Sequence, residues 1–225
     1  MLILAPYKNV FFYFTRNWAA CLFTLFFSVC LNANSKTILV LGDSLSAAYN
    51  MPIEQGWVAL LSQKLKPDYP DWQVINSSIT GDTTASGLQR LPSLLSEYQP
   101  NIVILELGGN DGLRGYPLIS IQKNLEKLIT LSLKNHTKVL LLGIQLPPNY
   151  GRKYTRGFQS LYTELHEQYP ISFAPFIQEK IVLNPSMMMA DGIHPTAKAQ
   201  PQLLESIFPS IKMLLDTQKS TNHSS

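Results

Sequence analysis

The stretch "TILVLGDSLSAAY", residues 37–49, is an apolar run that stops at a glycine, an aspartate and a serine. Four consecutive aliphatic residues bounded by a turn signal are typical of a strand that is buried on both faces of a parallel sheet. In an open parallel sheet, ligands bind beyond the carboxyl ends of the strands. The stretch therefore predicts an α/β fold in which the hydroxyl of Ser44 lies at the edge where a ligand would bind.

Further apolar runs, each bounded by turn residues, follow along the chain. They read "WQVINS" (72–77), "NIVILELGG" (101–109), "TKVLLLGI" (137–144) and "ISFAPF" (171–176). Between the runs lie amphipathic stretches that predict helices at 54–65, 83–97, 119–135, 154–168 and 197–215. This alternation indicates one domain in which a parallel sheet of about five strands is covered by helices on both faces.

The beginning of the chain, residues 1–35, predicts a secretory signal peptide. It contains Lys8 and Arg16 but no acidic residue, and a short apolar run leads into small and polar residues. The alternative is a transmembrane anchor, but the run is shorter than the roughly 20 residues needed to cross a bilayer. We therefore expect a periplasmic or secreted protein whose folded domain spans 36–215, followed by a flexible tail at 216–225.

The composition argues against a nucleic-acid partner and against disulfide bonds. Without Lys8 and Arg16, 16 basic residues remain against 15 acidic ones, so the mature chain would be nearly neutral. Both cysteines, Cys21 and Cys30, fall within the predicted signal peptide. The folded domain would therefore contain no disulfide bond although it would reside in an oxidising compartment.

A serine hydroxyl is a weak nucleophile until a neighbouring base takes its proton, so Ser44 would need an imidazole held by a carboxylate. Three histidines occupy positions typical of solvated surface residues: His136, His166 and His223. His194 differs, because Asp191 precedes it by three residues in the turn "ADGIHPT", a spacing that lets the carboxylate orient the imidazole. The same pair could instead only cap the final helix, and this loop alone does not decide between the two roles.

Acyl transfer also needs hydrogen-bond donors for the oxyanion of the tetrahedral intermediate. Two loops that follow predicted strands offer them: the backbone N–H of Gly81 in "ITGDT" and the side-chain amide of Asn110 in "GGNDG". Gly81 could also serve only a tight turn, and Asn110 could only brace its own loop. The coincidence of these donors with Ser44 and the Asp191/His194 pair favours a catalytic role.

Four motifs resemble, in order, the sequence blocks of the SGNH, or GDSL, hydrolase superfamily: Ser44 in "GDSLSAAY", Gly81 in "SITGDT", Asn110 in "ELGGNDGLRG" and Asp191 with His194 in "DGIHP". Within the superfamily, "LELGGNDGLRG" and "LPPNYGRKY" are similar to the bacterial periplasmic thioesterase I/lysophospholipase subgroup, which also hydrolyses aryl esters. The resemblance implies a three-layer α/β/α flavodoxin-like fold. One departure is Ala48, where the subgroup usually has glycine, and its methyl group could narrow the approach to the nucleophile.

The resemblance also implies a role for each of these residues. Ser44 would be the nucleophile, His194 the base and Asp191 the partner of that base. The backbone N–H groups of Ser44 and Gly81 and the amide of Asn110 would form the oxyanion hole. Neither a metal nor an organic cofactor is implied.

Together these features predict a serine hydrolase that forms an acyl-enzyme from fatty acyl esters, thioesters or lysophospholipids. Apolar side chains in the loops would receive the acyl chain: Ile79, Leu113, Tyr116, Pro147, Tyr150, Met187, Met188 and Met189. Core packing is an equal alternative for the methionines. The remaining functional alternatives are a carbohydrate O-acetyl esterase and a binding module that has lost catalysis. We expect a monomer whose partner is a small-molecule substrate and which, after cleavage of the leader, has no membrane anchor.

Overall fold

The computed structural model describes residues 35–176 and 179–220. The predicted signal peptide, apart from Ser35, and the end of the predicted tail, 221–225, lie outside the described residues. In the described part of the chain five strands form one sheet: β1 (Lys36–Gly42), β2 (Trp72–Asn76), β3 (Ile102–Glu106), β4 (Lys138–Gly143) and β5 (Ser172–Pro175). Each strand overlaps one of the apolar runs in the sequence.

The strands lie in the order β2-β1-β3-β4-β5, and every neighbouring pair is parallel. This is the flavodoxin-like order, in which the chain winds first to one side of β1 and then to the other. The central position of β1 puts Val40 opposite Asn76 of β2 on one side and Ile104 of β3 on the other. The predicted parallel α/β fold of about five strands is confirmed.

Helices connect the strands: α1 (Trp57–Leu65), α2 (Thr84–Tyr98), α3 (Gly109–Leu113), α4 (Leu118–Lys134), α5 (Arg152–Gln168), α6 (Glu179–Val182) and α7 (Gln200–Ser220). The five predicted helices correspond to α1, α2, α4, α5 and α7. The helix α1 begins later than predicted, because Ile53–Gln55 forms a separate 3-10 turn and Gly56 is extended. No described helix is long and apolar enough to span a bilayer.

Side chains alternate between the two faces of the sheet and fill two separate cores. On one face, Ile38 and Val40 pack with residues of α1 and α7 such as Leu61 and Leu203. On the other face, Leu39 and Leu41 pack with residues of α2, α4 and α5. All the strand residues just named are completely buried. The two cores make the three-layer α/β/α arrangement.

The last helix continues to Ser220, beyond the predicted end of the domain at 215. Contacts from other parts of the molecule and within the helix hold this extension. The Tyr69 hydroxyl donates to Asp216 at 2.6 Å, the Lys212 ammonium lies 2.6 Å from the same carboxylate, and the Lys36 ammonium donates to the Gln218 carbonyl at 3.0 Å. Residues 216–220, half of the expected tail, therefore belong to the last helix.

Candidate active site

Ser44 lies directly beyond the carboxyl end of β1, in a tight turn. The carbonyl of Asp43 accepts hydrogen bonds from the N–H groups of Ser46 (3.2 Å) and Ala47 (2.9 Å), and the Asp43 carboxylate accepts from the N–H of Leu45 at 3.0 Å. These bonds fix the backbone on both sides of Ser44. The side chain of Ser44 is half-buried and faces the loop that precedes α7.

That loop brings His194 and Asp191 to Ser44. The His194 Nε2 atom lies 2.9 Å from the Ser44 hydroxyl oxygen, and its Nδ1 atom lies 2.7 Å from an oxygen of Asp191. Gly192, at φ +67°, makes the turn that folds Asp191 back toward the imidazole. The serine, the imidazole and the carboxylate thus form one hydrogen-bonded chain.

The carboxylate of Asp191 is held in its ionised form. Loss of hydration opposes ionisation, but the backbone N–H groups of His194 (3.0 Å) and Ile193 (2.9 Å) and the His194 imidazole outweigh it and lower the pKa of Asp191 to about 2. The same two N–H bonds fix the carboxylate in direction. Asp191 therefore presents a charged acceptor to Nδ1, which leaves Nε2 free of a hydrogen when the imidazole is neutral.

The loop after β2 brings the backbone of Gly81 to the same edge of the sheet. Gly81 adopts φ +83°, a conformation that favours glycine, and the Arg114 guanidinium donates to its carbonyl at 3.2 Å. The N–H of Ile79 donates to the Gly42 carbonyl at 3.0 Å, which ties this loop to the end of β1. Among the described residues, nothing accepts a hydrogen bond from the N–H of Gly81 or of Ser44.

Asn110 lies in the short helix α3, just beyond β3. Its side-chain amide donates one hydrogen bond, to the Asp43 carboxylate at 3.0 Å. An amide nitrogen carries two hydrogens, so the second remains for another acceptor. Gly109 lets the loop approach, because a Cβ atom there would come within 3.3 Å of the Asp43 carboxylate. Asn110, Gly81 and Ser44 thus lie on three separate segments at one edge of the sheet.

A cavity of about 310 Å³ opens beside Ser44 and His194. Apolar side chains from four loops make up much of its wall: Leu45, Leu113, Ile144, Leu146, Pro147, Pro148, Val182, Met188 and Ile193. Asp43, Ser44, Asn110 and His194 are among the polar residues that line it. Small-molecule sites commonly combine an apolar cleft of this size with a few convergent polar groups.

The predicted substrate-binding residues are divided by the structure. Leu113, Pro147 and Met188 line the cavity. The others lie outside its wall: Ile79, Tyr116, Tyr150, Met187 and Met189. Met187 packs against the core between the sheet and the helices α1 and α7, as the cavity-lining Met188 also does. The Tyr150 hydroxyl donates to the Leu113 carbonyl at 3.1 Å.

Two residues beside the site were not singled out from the sequence. The ring of Tyr49 lies against the His194 imidazole, with centroids 4.4 Å apart, and Glu106 is completely buried beneath the turn of Ser44. Tyr49 follows Ala48, which adopts the left-handed φ of +58°. The sequence could have indicated Glu106, because it is the one acidic residue in the apolar run that forms β3.

Three aspartates next to the motifs brace the loops. Asp43 holds its own turn and Asn110, Asp82 pairs with Arg90, and Asp111 accepts from the backbone and hydroxyl of Thr84 at 2.8 and 2.7 Å. Within residues 35–176 and 179–220, no three His, Cys, Asp or Glu side chains are grouped as metal ligands would be. The site therefore offers a nucleophile and hydrogen-bond donors.

A second cleft, of about 460 Å³, lies between α2 and α4. Pro100 and Thr137, which precede β3 and β4, place it at the opposite edge of the sheet. None of its lining residues is titratable. The concentration of reactive groups at Ser44 identifies the smaller cavity as the candidate site.

Comparison with known proteins agrees with this geometry. Residues 40–200 match the model of the GDSL-like lipase/acylhydrolase family. The chain is 49% identical over 183 residues to esterase TesA of Pseudomonas aeruginosa, covering 81% of this chain and 91% of that protein. It is 40% identical over 188 residues to thioesterase 1/protease 1/lysophospholipase L1 of Escherichia coli K12, covering 82% and 87% of the two chains.

Solved structures show the same fold. The crystal structure of the psychrotrophic esterase EstA from Pseudoalteromonas sp., inhibited by monoethylphosphonate, superposes with a TM-score of 0.76 at 41% identity. The match covers 80% of this chain and 99% of that one. The chain belongs to the GDSL-like lipase/acylhydrolase family.

Proposed function

We propose that this protein is a serine esterase and thioesterase that hydrolyses fatty acyl esters and thioesters through an acyl-enzyme. The observation that carries the proposal is the hydrogen-bonded chain of Ser44, His194 and Asp191 at the mouth of an apolar cavity. The relatives named as esterases and as a thioesterase support the same class of reaction.

In the acylation step, His194 takes the hydroxyl proton as Ser44 attacks the carbonyl carbon of the substrate. Asp191 stabilises the imidazolium and keeps Nε2 directed at the nucleophile. The imidazolium then gives its proton to the leaving alcohol or thiol as the bond from carbonyl carbon to oxygen or sulfur breaks. Water, activated by the same imidazole, releases the acid in the second half of the reaction.

Negative charge develops on the carbonyl oxygen in both tetrahedral intermediates. The N–H groups of Ser44 and Gly81 and the second amide hydrogen of Asn110 are the donors that we assign to this oxyanion. Their availability supports the assignment, because no described residue accepts a hydrogen bond from either backbone N–H. Donors held by rigid loops need little reorganisation in the transition state.

The cavity supports a preference for acyl groups longer than acetyl. Its apolar wall would shield an aliphatic chain from water, at about 0.8 kcal/mol for each buried methylene. An acetyl group would leave most of the cavity unused, so the geometry favours fatty acyl substrates over carbohydrate O-acetyl esters. Met188 and Leu113, which line the cavity, would contact the acyl chain.

We extend the proposal to the location of the protein. The short apolar run with Lys8 and Arg16 and without acids supports export to the periplasm or beyond, with removal of residues 1–35. The exported chain would act as a monomer. Mass spectrometry of the mature protein tests this, since a chain that retains Met1 after export would contradict cleavage.

The experiment for the proposed activity is a chain-length series of acyl esters and acyl-CoA thioesters, from acetyl to palmitoyl. We expect kcat/KM to rise with chain length beyond acetyl, and Ser44→Ala to abolish turnover of every substrate. A preference for acetyl esters would favour the carbohydrate esterase. A folded wild-type protein without turnover would favour the binding module.

A further inference from the structure

Glu106 is a buried carboxylic acid that the proposed reaction does not use. It ends β3 and is completely inaccessible to solvent. Its Oε2 atom accepts hydrogen bonds from the Ser46 hydroxyl at 2.7 Å and from the Asp43 N–H at 3.3 Å. Its Oε1 atom has no hydrogen-bond partner among the described residues.

Both side-chain hydrogen bonds of Glu106 lead to the turn that carries Ser44. Asp43 and Ser46 flank Ser44, so both bonds hold the segment 43–46 from below. Gly42 makes room for the acid, because a Cβ atom there would lie 2.8 Å from Oε2. A residue that served only to fill the core would need neither this space nor these bonds.

Asp43 links the buried acid to Asn110. One carboxylate oxygen of Asp43 accepts from the Leu45 N–H, and the other accepts from the Asn110 amide at 3.0 Å. The direction of the amide, and hence of its second hydrogen, depends on where Asp43 lies and on its charge. A shift of about 1 Å in such a group can reduce turnover by about 100-fold.

Two carboxyl groups this close do not both ionise readily. Burial, followed by the charge of Asp43, raises the pKa of Glu106 well above its ordinary range. Burial also raises the pKa of Asp43, to about 6, against the opposing effect of its hydrogen bonds. These effects favour the protonated form of Glu106, while the hydrogen bonds of Asp43 favour its charged form.

We propose that Glu106 is a positioning residue of the oxyanion hole, which anchors the segment bearing the Ser44 N–H and keeps Asp43 as the acceptor that directs the Asn110 amide. This inference rests on the proposed function, because it assumes that these groups bind the oxyanion. Glu106 touches no substrate atom and acts only through Asp43 and Ser46.

The test compares Glu106→Gln with Glu106→Leu. Glutamine is neutral, as the protonated acid is, and can accept the same two hydrogen bonds, whereas leucine fills the space and accepts none. We expect Glu106→Gln to retain kcat within about threefold and Glu106→Leu to lose about 10- to 100-fold in kcat with KM nearly unchanged. Thr137→Val is the matched control, because it removes one buried hydrogen bond, to the Pro100 carbonyl at 2.9 Å, at the opposite edge of the sheet. That control should lower the melting temperature without changing kcat.

A folded Glu106→Leu protein with kcat within threefold of wild type would overturn the inference, as would a Glu106→Gln protein as slow as Glu106→Leu. If Glu106→Leu does not fold, Ser46→Ala replaces it, and an unchanged kcat in that variant would equally overturn the inference. Labelling with a fluorophosphonate distinguishes failure of the proposed function from failure of the proposed role of Glu106. A wild-type protein that neither reacts at Ser44 nor turns over esters contradicts the proposed function, whereas normal wild-type labelling with unaffected variants contradicts only the role of Glu106.

Discussion

Replacing Asn110 with alanine tests whether its amide binds the oxyanion. The substrate carbonyl carries little charge before attack, whereas the tetrahedral intermediate carries a full negative charge on that oxygen. The amide should therefore contribute mainly to kcat. Losing one such donor typically costs about 100- to 1,000-fold in kcat, or about 3 to 4 kcal/mol.

The structure adds a second consequence to this substitution. The Asn110 amide also donates to the Asp43 carboxylate at 3.0 Å, and Asp43 is almost completely buried. Removing a partner of a buried charged group costs about 1 to 3 kcal/mol of stability. We expect Asn110→Ala to remain folded at room temperature with a lower melting temperature.

The assay measures kcat, KM and melting temperature on the same preparations of wild type and Asn110→Ala. The expected result is a kcat lower by at least 100-fold with KM within about threefold. If Asn110 only braces its loop, the melting temperature should fall while kcat changes by only a few fold, because the N–H groups of Ser44 and Gly81 remain. That second result would remove Asn110 from the oxyanion hole.

Three further experiments test other parts of the site. Asp191→Asn should fold but lower kcat by about 10,000-fold, because an amide would favour the wrong imidazole tautomer, and near-normal turnover would exclude the orienting role. Met188 lines the cavity and also packs against the core, so Met188→Ala should change the ratio of kcat/KM between octanoyl and acetyl esters as well as lower the melting temperature. Met187 packs against the same core without lining the cavity, so Met187→Ala should lower the melting temperature and leave that ratio unchanged. Equal chain-length profiles in both variants would contradict the assignment of the cavity wall. Burial raises the pKa of Asp43 in the folded protein to about 6, against an ordinary 3.8. As pH falls from about 6 to about 4, Asp43 is therefore protonated in the folded state before it is protonated in the unfolded state. This difference increases the free energy of unfolding by at most about 3 kcal/mol. Denaturant titrations should show that Asp43→Asn gains less stability than wild type over this range, and identical pH slopes would refute the burial of a titrating carboxyl group.

The sheet was predictable because the apolar runs are continuous and the breaks between them are sharp. Both faces of a central strand such as β1 are covered by helices, so its residues form a nearly continuous apolar run. Such a short run between turn residues is compatible with few structures other than a buried strand. The Asp191/His194 turn was also predictable, because a separation of three residues that includes Gly192 is enough to fold the Asp191 carboxylate back toward His194. Local sequence therefore specified both the position of Ser44 and the His194/Asp191 pair opposite it.

Features that depend on distant contacts were not predictable in the same way. The cavity wall combines Leu45, Ile144 and Val182 from separate loops, which meet only because parallel strands end at one edge of the sheet. The final helix extends past 215 because Tyr69, far away in sequence, binds Asp216. Such contacts leave no periodic signal along the chain.

Ala48, which stands where the subgroup usually has glycine, adopts a backbone conformation that favours glycine. Its φ of +58° is a conformation that glycine adopts without strain and that costs an L-residue about 1 to 2 kcal/mol. The methyl group is nearly buried and lies against Gly56. The neighbouring Tyr49 ring packs on His194, so this turn also sets one boundary of the imidazole site.

The most direct test of the account is mass spectrometry of the intact protein during turnover of a slow acyl ester, followed by peptide mapping. The account predicts one added acyl group on Ser44, whose formation and decay match the rate of hydrolysis, and no adduct on Ser44→Ala. An adduct on another residue, or a Ser44→Ala protein that hydrolyses the ester at the wild-type rate, would contradict the claim that Ser44 is the nucleophile.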